Sequence, residues 1–185
     1  MGVVYYCAAT LDGYIAESDD SLDWLLGYEG SYEGEDAAPA RGYDEFYEGV
    51  GALVSGSVTY EWVLDHLEEW PYAGKPCWVL SSRELPRAAG EGVDVRVVEG
   101  SVPELYDELV ASAGDRDLWV IGGGNVASQF ADAGLLDELR VTVVPAVIGA
   151  GKPLFGRRVE GPPMQLRQVI PRRSGMVELA YRVSK

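Results

Sequence analysis

Three consecutive glycines, Gly122, Gly123 and Gly124, lie within the sequence WVIGGGNVASQF, residues 119–130. An apolar run precedes them and a helix-like pattern follows, so they occupy a strand-to-helix junction. Glycine loses more conformational freedom on folding than any other residue, and three in succession indicate a tight turn or a close approach to a ligand. The start of a helix presents free N–H groups and the positive end of the helix dipole, which suit a diphosphate.

Two further strand ends carry groups that suit phosphate. In VSGSVTYE, residues 54–61, glycine again separates strand from helix, and LSSR, residues 80–83, ends a strand with two hydroxyls and a guanidinium. Ligands of α/β sheets bind beyond the carboxyl ends of the strands. The three junctions together predict a dinucleotide lying across one edge of the sheet.

The segment 122–127 also satisfies the pattern G-x-G-x-x-A, the fingerprint of the Rossmann dinucleotide fold. That fingerprint normally stands early in its domain, and an acidic residue ends the following strand. Here the motif comes two-thirds along the chain, and the strand RVTVVP ends without an acid. The sequence therefore disfavours a simple Rossmann fold but not a diphosphate at this helix start.

The charge of the chain narrows the class of partner. Its 185 residues carry a formal net charge of −15 at pH 7, with a pI near 4.3. Proteins bind nucleic acids and anionic membranes through clustered Lys and Arg, so we expect neither as a partner and expect a small molecule instead. The N-terminal segment lacks a basic region and no apolar run is long enough to span a bilayer, which favours a cytoplasmic protein with one domain, residues 1–185.

Residues that commonly bind metals or act as nucleophiles are few. The chain has one histidine, His66, and two cysteines, Cys7 and Cys77, each within an apolar run. A free thiol in such a run behaves as a small hydrophobe, so both cysteines are predicted to be buried. No metal site is expected, and a Ser-His-Asp triad would have to use His66, which we interpret as a structural residue on a helix.

Apolar runs and helix patterns alternate as in an α/β protein. Strands are predicted at 2–9, 51–56, 75–82, 93–98, 117–123, the first part of 136–155, 164–170 and 176–183, and helices at 43–50, 57–70, 101–114 and 125–134. Ser101 and Glu104 form a capping box for the third helix, which Gly114 ends. Strand 2–9 should be central, the sheet parallel through its middle, and the last two strands an antiparallel hairpin at one edge.

An irregular segment, residues 26–42, separates the first strand from the first long helix. It is rich in glycine, acidic residues and aromatic residues, and a segment of this length is more often a functional loop or lid than a linker. The aromatic residues in and around it are Trp24, Tyr28, Tyr32, Tyr43 and Tyr47. They belong either to the core or to the wall of a pocket for a flat ring.

The motifs ATLDGYIA, SGSVTYE, VLSSR, VIGGGNVASQF and VVPAVIGAGKPLF occur in this order across nearly the whole chain. In this order and at these spacings they resemble the dihydrofolate reductase-like superfamily. The more similar branch is the one that shares the C-terminal reductase domain of the riboflavin-biosynthesis deaminase-reductase. The resemblance implies a three-layer α/β/α domain with a mixed, mostly parallel sheet of about eight strands, NADPH as hydride donor, and a homodimer.

The same resemblance assigns residues to the parts of the cofactor. Gly122 to Val126 would hold the diphosphate, Gly56 to Thr59 the phosphates and ribose, Ser81 to Arg83 the adenosine end, and Ala9, Ile15 and Ala16 the nicotinamide. The full assigned set is Ala9, Ile15, Ala16, Gly56, Ser57, Val58, Thr59, Leu80, Ser81, Ser82, Arg83, Ile121, Gly122, Gly123, Gly124, Asn125 and Val126.

Three departures from the family pattern bear on cofactor and substrate. Where many relatives have Gly-Arg-x-Thr this chain has Ser57 in place of the arginine, which leaves NADH possible beside NADPH, with Arg83 as the substitute cation. Tyr14 follows the sequence LDG where the riboflavin-type reductase usually has a basic residue. The H-x-E and C-x-x-C motifs of the zinc deaminase half are absent from the sequence.

A reductase of this kind holds the nicotinamide against a C=N or C=O carbon and supplies one proton. Asp12 and Asp44 are the candidate catalytic acids, although Asp12 also fits an Asp-Gly turn and Asp44 a helix N-terminal carboxylate. Candidate substrate contacts are Trp24, Arg41 and Tyr47. A pterin- or pyrimidine-like substrate is expected. The alternatives are 5-amino-6-(5-phosphoribosylamino)uracil and a nucleotide-binding protein without redox activity.

Overall fold

An eight-stranded mixed sheet forms the centre of the computed structural model, which describes residues 1–34 and 42–184. The strands are β1 (Val3–Thr10), β2 (Tyr14–Ala16), β3 (Val50–Gly56), β4 (Pro76–Leu80), β5 (Asp94–Val98), β6 (Asp117–Gly122), β7 (Glu138–Val144), β8 (Lys152–Pro153), β9 (Gln165–Pro171) and β10 (Val177–Arg182). The helices are α1 (Asp23–Leu26), α2 (Gly42–Gly49), α3 (Ser57–His66), α4 (Val102–Ala113) and α5 (Gly124–Asp132).

The strand order of the large sheet is β5-β4-β3-β6-β1-β7-β10-β9. The five pairings from β5 to β7 are parallel, and the pairings of β10 with β7 and with β9 are antiparallel. The central place of β1, the parallel middle and the antiparallel hairpin at one edge are therefore as predicted. They follow from apolar runs that are buried on both faces, with helices as the crossover connections.

Helices cover both faces of the sheet and give it three layers. Val126 and Phe130 of α5 share one buried cluster with Leu109 of α4, whereas Tyr60 of α3 and Phe46 of α2 belong to the cluster on the other face. Successive residues of β1 alternate between these two clusters, as the two-residue period of a strand requires. The predicted α/β/α architecture is confirmed.

The predicted capping box of α4 is present. Glu104 accepts hydrogen bonds from the backbone N–H and the hydroxyl of Ser101, each at 2.7 Å, and these contacts lower the pKa of Glu104. Gly114 follows the last residue of the helix with φ of 63°, a conformation that glycine adopts without steric cost. Residues at the two ends of α4 therefore determine where this helix begins and ends.

Several sequence expectations differ from the structure. Helix α3 ends at His66 instead of residue 70, and α1 and the short β2-β8 sheet had no predicted counterpart. The apolar strand β7 lies inside the sheet, between β1 and β10, and its Val141 and Val144 are buried. The edge strand at that end is β9. No helix in the described ranges is long and apolar enough to cross a membrane.

Candidate functional site

A cleft opens where the two central strands separate. Strands β1 and β6 are paired from Val3 and Leu118 to Tyr5 and Val120, after which β1 continues alongside β7 as far as Thr10. The cleft has a volume of about 810 Å³ and is lined by Tyr6, Cys7 and Ala8 of β1 and by Ile121 and Gly122 of β6. A gap between diverging parallel strands is a common ligand site in α/β sheets because backbone groups there are released from the strand ladder.

Two helices begin at the wall of this cleft, each preceded by glycine. Gly56 is the N-cap of α3 and Gly123 the N-cap of α5, and neither helix start has a side-chain capping hydrogen bond. The two starts are adjacent, because a Cβ atom built on Gly56 would lie 3.9 Å from the backbone nitrogen of Gly123. Their N–H groups and dipoles therefore converge on the cleft, which is the arrangement that binds a diphosphate.

Two of the three glycines of the junction, Gly123 and Gly124, differ in what surrounds them. A Cβ atom on Gly124 would clash with the carbonyl oxygen of Pro153, so this position is fixed by packing within the protein. A Cβ atom on Gly123 would meet only the hydroxyl of Thr59, at 3.8 Å, which is ordinary contact. Protein packing therefore leaves room for a side chain at Gly123, on the cleft wall, where a bound diphosphate would need that space.

Most residues assigned to the cofactor line this one cleft. These are Ile15, Ala16, Gly56, Ser57, Val58, Thr59, Leu80, Ile121, Gly122, Gly123, Gly124, Asn125 and Val126. Ala9 does not line it, because its side chain is 2% exposed and packs in the core, and Tyr6, Cys7 and Ala8 are the β1 residues at the cleft. The structure thus brings together four segments that are far apart in the sequence.

Ser81, Ser82 and Arg83 line a second, adjoining cavity of about 870 Å³. Arg83 connects the two cavities: its Nη2 donates to Ser57 Oγ at 3.0 Å and to Glu61 Oε2 at 2.7 Å. Its Nη1 donates to Glu61 Oε1 at 3.3 Å. The guanidinium therefore lies at the rim of the cleft and is paired with a carboxylate.

Aromatic side chains form the wall of the cleft on the α2 and α3 side of the sheet. The lining members are Tyr6, Tyr43, Trp62, Tyr72 and Trp119. The rings of Tyr43 and Trp119 meet edge to face with centroids 5.9 Å apart, and burial raises the pKa of Tyr43 to about 12. These walls suit a flat, apolar ring with polar edges.

Tyr47, predicted to contact substrate, lies behind this wall. Its ring stacks on that of Tyr43 with centroids 5.9 Å apart, and Lys75 Nζ lies 4.5 Å from its centroid on another side. Trp24 belongs to α1 and does not line the cleft, although Leu22 and Leu25 beside it do. Arg41 lies outside the described residues.

The two candidate acids, Asp12 and Asp44, are absent from the lining of the cleft. Asp12 accepts hydrogen bonds from the Thr10 hydroxyl at 2.5 Å and from the N–H groups of Gly149 and Ile148 at 2.7 and 3.4 Å. These bonds, that from Thr10 foremost, lower the pKa of Asp12 and tie the loop after β1 to the loop after β7. Asp44 lies in the first turn of α2, where a carboxylate complements the helix dipole. Catalytic roles for both remain predictions.

Several cleft residues had not been selected from the sequence, and some of them lie on strands. Thr142 of β7 and Tyr6 of β1 lie on its wall, and Lys152 of β8 forms an ion pair with Asp20 at 3.5 Å across its mouth. Among the described lining residues Lys152 is the only cation. Alternation of polar and apolar residues could not identify these positions in the sequence. A strand that is buried on both faces lacks this alternation, so its sequence does not show which side chains face a cleft.

The structure buries one of the two thiols completely. Cys77 is fully buried, as predicted, whereas Cys7 is only partly buried and lines the cleft. Desolvation raises the pKa of each thiol to about 12. Both are therefore neutral at physiological pH and do not have the character of catalytic thiolates. Among the described residues no group of three or more His, Cys, Asp or Glu side chains is arranged to hold a metal ion.

Comparison with known proteins agrees with this architecture. The family model for the RibD C-terminal domain matches residues 70–177. The chain belongs to this family. The uncharacterized protein YwjB of Bacillus subtilis (strain 168) is 33% identical to it over 152 residues, which cover 82% of this chain and 81% of the relative.

Solved structures show the same fold. A protein from Shewanella sp. PV-4, named as a candidate for riboflavin biosynthesis, superposes with a TM-score of 0.82 and 28% identity, covering all of both chains. Dihydrofolate reductase from Enterococcus faecalis, solved with NADP(H), superposes with a TM-score of 0.63 and 16% identity, covering 100% of this chain and 97% of that enzyme. The fold of the chain is that of the dihydrofolate reductase-like proteins.

Proposed function

We propose that this protein is a nicotinamide-dinucleotide-dependent reductase that transfers hydride to a small, flat heterocycle. The observation that supports it is the composition of a single cleft: two adjacent glycine-capped helix starts at one part of the wall and a cluster of aromatic rings at another. The first feature suits a diphosphate and the second suits a planar ring. Family membership and the NADP(H) bound to the E. faecalis enzyme support the same proposal.

The bound cofactor would supply the hydride, and the chain would supply position and exclusion of water. The N–H groups at the starts of α3 and α5 would hold the diphosphate, with Thr59 beside Gly122 and Gly123. The backbone of β1 beyond Tyr5, which no longer pairs with β6, would face the nicotinamide. The aromatic wall would then hold the acceptor ring in a dry site, where orientation contributes most to the rate.

A neutral ring fits the cleft better than a phosphorylated one. Among the cleft-lining residues in the described ranges the only cation is Lys152, and it is paired with Asp20. A phosphoribosyl group needs cations that are free to contact it. We therefore favour a pterin- or pyrimidine-like acceptor. NADPH is the donor that the family resemblance implies, and NADH is the alternative.

A second candidate is 5-amino-6-(5-phosphoribosylamino)uracil reductase. The match to the RibD C-terminal domain supports it, and so does the fold shared with the Thermotoga maritima deaminase/5-amino-6-(5-phosphoribosylamino)uracil reductase, of which this chain covers 56% at 19% identity. The observation against it is that the lining residues in the described part of the chain include a single cation, Lys152.

The test has two stages. Trp62 and Trp119 line the cleft, so cofactor binding is expected to quench tryptophan fluorescence, which gives dissociation constants for NADPH and NADH. Oxidation of the bound cofactor is then followed with pterin, pyrimidine and quinone-like acceptors and with the phosphoribosylamino-pyrimidine. Turnover of a neutral acceptor supports the proposal, faster turnover of the phosphorylated pyrimidine favours the second candidate, and binding without any turnover favours a non-catalytic nucleotide-binding protein.

A further inference from the structure

The side chain of Glu61 occupies a position that bears on the choice of cofactor. Ser57 and Glu61 are separated by one turn of α3 and therefore share a face of this helix. That face meets Arg83, which follows β4 and donates to Ser57 at 3.0 Å and to the two carboxylate oxygens of Glu61 at 2.7 and 3.3 Å. The guanidinium is thus held bidentately at the point where the cleft joins the second cavity.

We propose that Glu61 limits the preference of this protein for NADPH over NADH by neutralising Arg83. This inference rests on the proposed function. The two cofactors differ by one phosphate on the adenosine ribose, a group of about −2 charge that a free arginine attracts strongly. Arg83 shares its charge with Glu61 and uses three of its five N–H donors on Glu61 and Ser57, so it attracts this phosphate less than a free arginine would.

The charges around the second cavity point in the same direction. Its described lining contains two arginines, Arg83 and Arg87, and two glutamates, Glu84 and Glu99. Their formal charges cancel, and Glu61 adds a further negative charge through its pair with Arg83. The electrostatic environment of the cavity is therefore neutral to negative. It disfavours a phosphate dianion but not an uncharged ribose hydroxyl.

The experiment compares dissociation constants of NADPH and NADH, measured by fluorescence titration, for the wild type and for Glu61→Gln. The substitution keeps the size of the side chain and one acceptor oxygen for Arg83, and it removes the negative charge and the second acceptor. The pair is partly exposed, with 57% of the Arg83 and 31% of the Glu61 side chain accessible, so we expect NADPH to bind about fivefold more tightly and NADH to change by less than about twofold.

Two controls separate the pair from general charge effects. Glu84→Gln removes a neighbouring carboxylate that lines the same cavity, and we expect a smaller effect on NADPH than that of Glu61→Gln. In an Arg83→Ala background Glu61→Gln should no longer favour NADPH, because the released cation is absent. Such a double-mutant cycle assigns the change in NADPH affinity to the contact between Glu61 and Arg83.

The outcomes are distinct. Weaker NADPH binding by Glu61→Gln would overturn the inference and make Glu61 a residue that orients Arg83 toward the phosphate. Equal changes for both cofactors, or an equal effect of Glu84→Gln, would overturn it as well. If the folded wild type, verified by circular dichroism, binds neither cofactor, the proposed function itself fails together with the inference.

Discussion

The hydroxyl of Tyr6 donates a hydrogen bond to the carboxylate of Glu178 at 3.1 Å, and this contact joins the wall of the cleft to a buried ion pair. Glu178 is paired with Arg172, and the two side chains are 5% and 11% exposed. Because the Tyr6 proton is directed toward a carboxylate, its oxygen presents lone pairs to the surroundings. A bound ring with an N–H donor would match this group.

Variants of the two residues are expected to affect different properties. Tyr6→Phe removes one hydrogen bond, so it should cost only about 1 kcal/mol of stability and leave cofactor affinity unchanged while lowering kcat/KM. Glu178→Gln removes the negative charge from a largely buried ion pair and should cost more, about 3 kcal/mol. Urea unfolding and steady-state kinetics measure both. Unchanged kcat/KM in Tyr6→Phe would remove this hydroxyl from the substrate site.

Alanine substitutions at two neighbouring glycines of the junction provide a second test, which concerns cofactor binding. Gly123→Ala adds a methyl group that meets only Thr59 at 3.8 Å, so the melting temperature should hold while cofactor affinity falls by about tenfold or more. Gly124→Ala forces the methyl group against the Pro153 carbonyl and should cost about 1 to 3 kcal/mol of stability. Cofactor affinity that is unchanged in a folded Gly123→Ala, or in the bulkier Gly123→Val, would contradict a diphosphate at this junction.

Local signals in the sequence were sufficient for most of the fold. The apolar run at residues 2–9 predicted β1 because a strand buried on both faces needs no polar residues. The capping box predicted the start of α4 because Ser101 and Glu104 satisfy each other within four residues. The glycine junctions were equally visible, since a residue without a side chain at a helix start leaves room for a close approach to the backbone.

The substrate side of the cleft could not be predicted in the same way. Tyr6 and Glu178 are 172 residues apart, and they meet only because β7 lies between their strands. No local pattern encodes that proximity. Asp12 was selected for its chemistry, but the sequence did not reveal that Thr10 and Gly149 already bind its carboxylate. Long-range pairing decides which polar groups remain available.

The raised pKa values of the two thiols predict a loss of stability at alkaline pH. Burial raises the pKa of Cys7 and of Cys77 to about 12, whereas an unfolded cysteine titrates near about 8.5. Between these values the unfolded chain has released protons that the folded chain retains, so stability falls as the pH rises, by up to about 1.4 kcal/mol per pH unit for each thiol. Urea unfolding at pH 8 and pH 9.5 measures this slope. A Cys7→Ala, Cys77→Ala variant should show a smaller slope, and an identical slope would contradict burial of the thiols.

We also predict that the protein forms a homodimer, as its family resemblance implies. The edge strand β9 offers an exposed surface for it, with Leu166 and Val169 54% and 52% accessible. Light scattering at micromolar concentration should return twice the chain mass of 20.1 kDa. Leu166→Lys should shift the mass toward one chain, whereas Val97→Lys on the opposite edge strand should not. A mass of one chain for the wild type would exclude the dimer under these conditions.

The last prediction distinguishes a structural from a catalytic role for Asp12. Its carboxylate accepts the Thr10 hydroxyl and the Gly149 N–H, and the hydrogen bonds lower its pKa in the folded state. A lowered pKa means that the carboxylate stabilises the fold above the pKa of the unfolded chain and that this stabilisation is lost as the pH falls through the lower, folded value. Asp12→Asn should therefore melt at a lower temperature than the wild type at pH 7, with a difference that narrows under acid conditions.

Asp44→Asn is the matched control, because Asp44 lies in the first turn of α2 and outside the cleft lining. It should change the melting temperature less than Asp12→Asn does. Both variants should keep cofactor affinity, since neither carboxylate lines the cleft. We expect turnover to fall in Asp12→Asn together with the melting temperature, as the loops after β1 and β7 loosen. A fall in kcat at an unchanged melting temperature would instead identify Asp12 as the group that delivers or orients the proton.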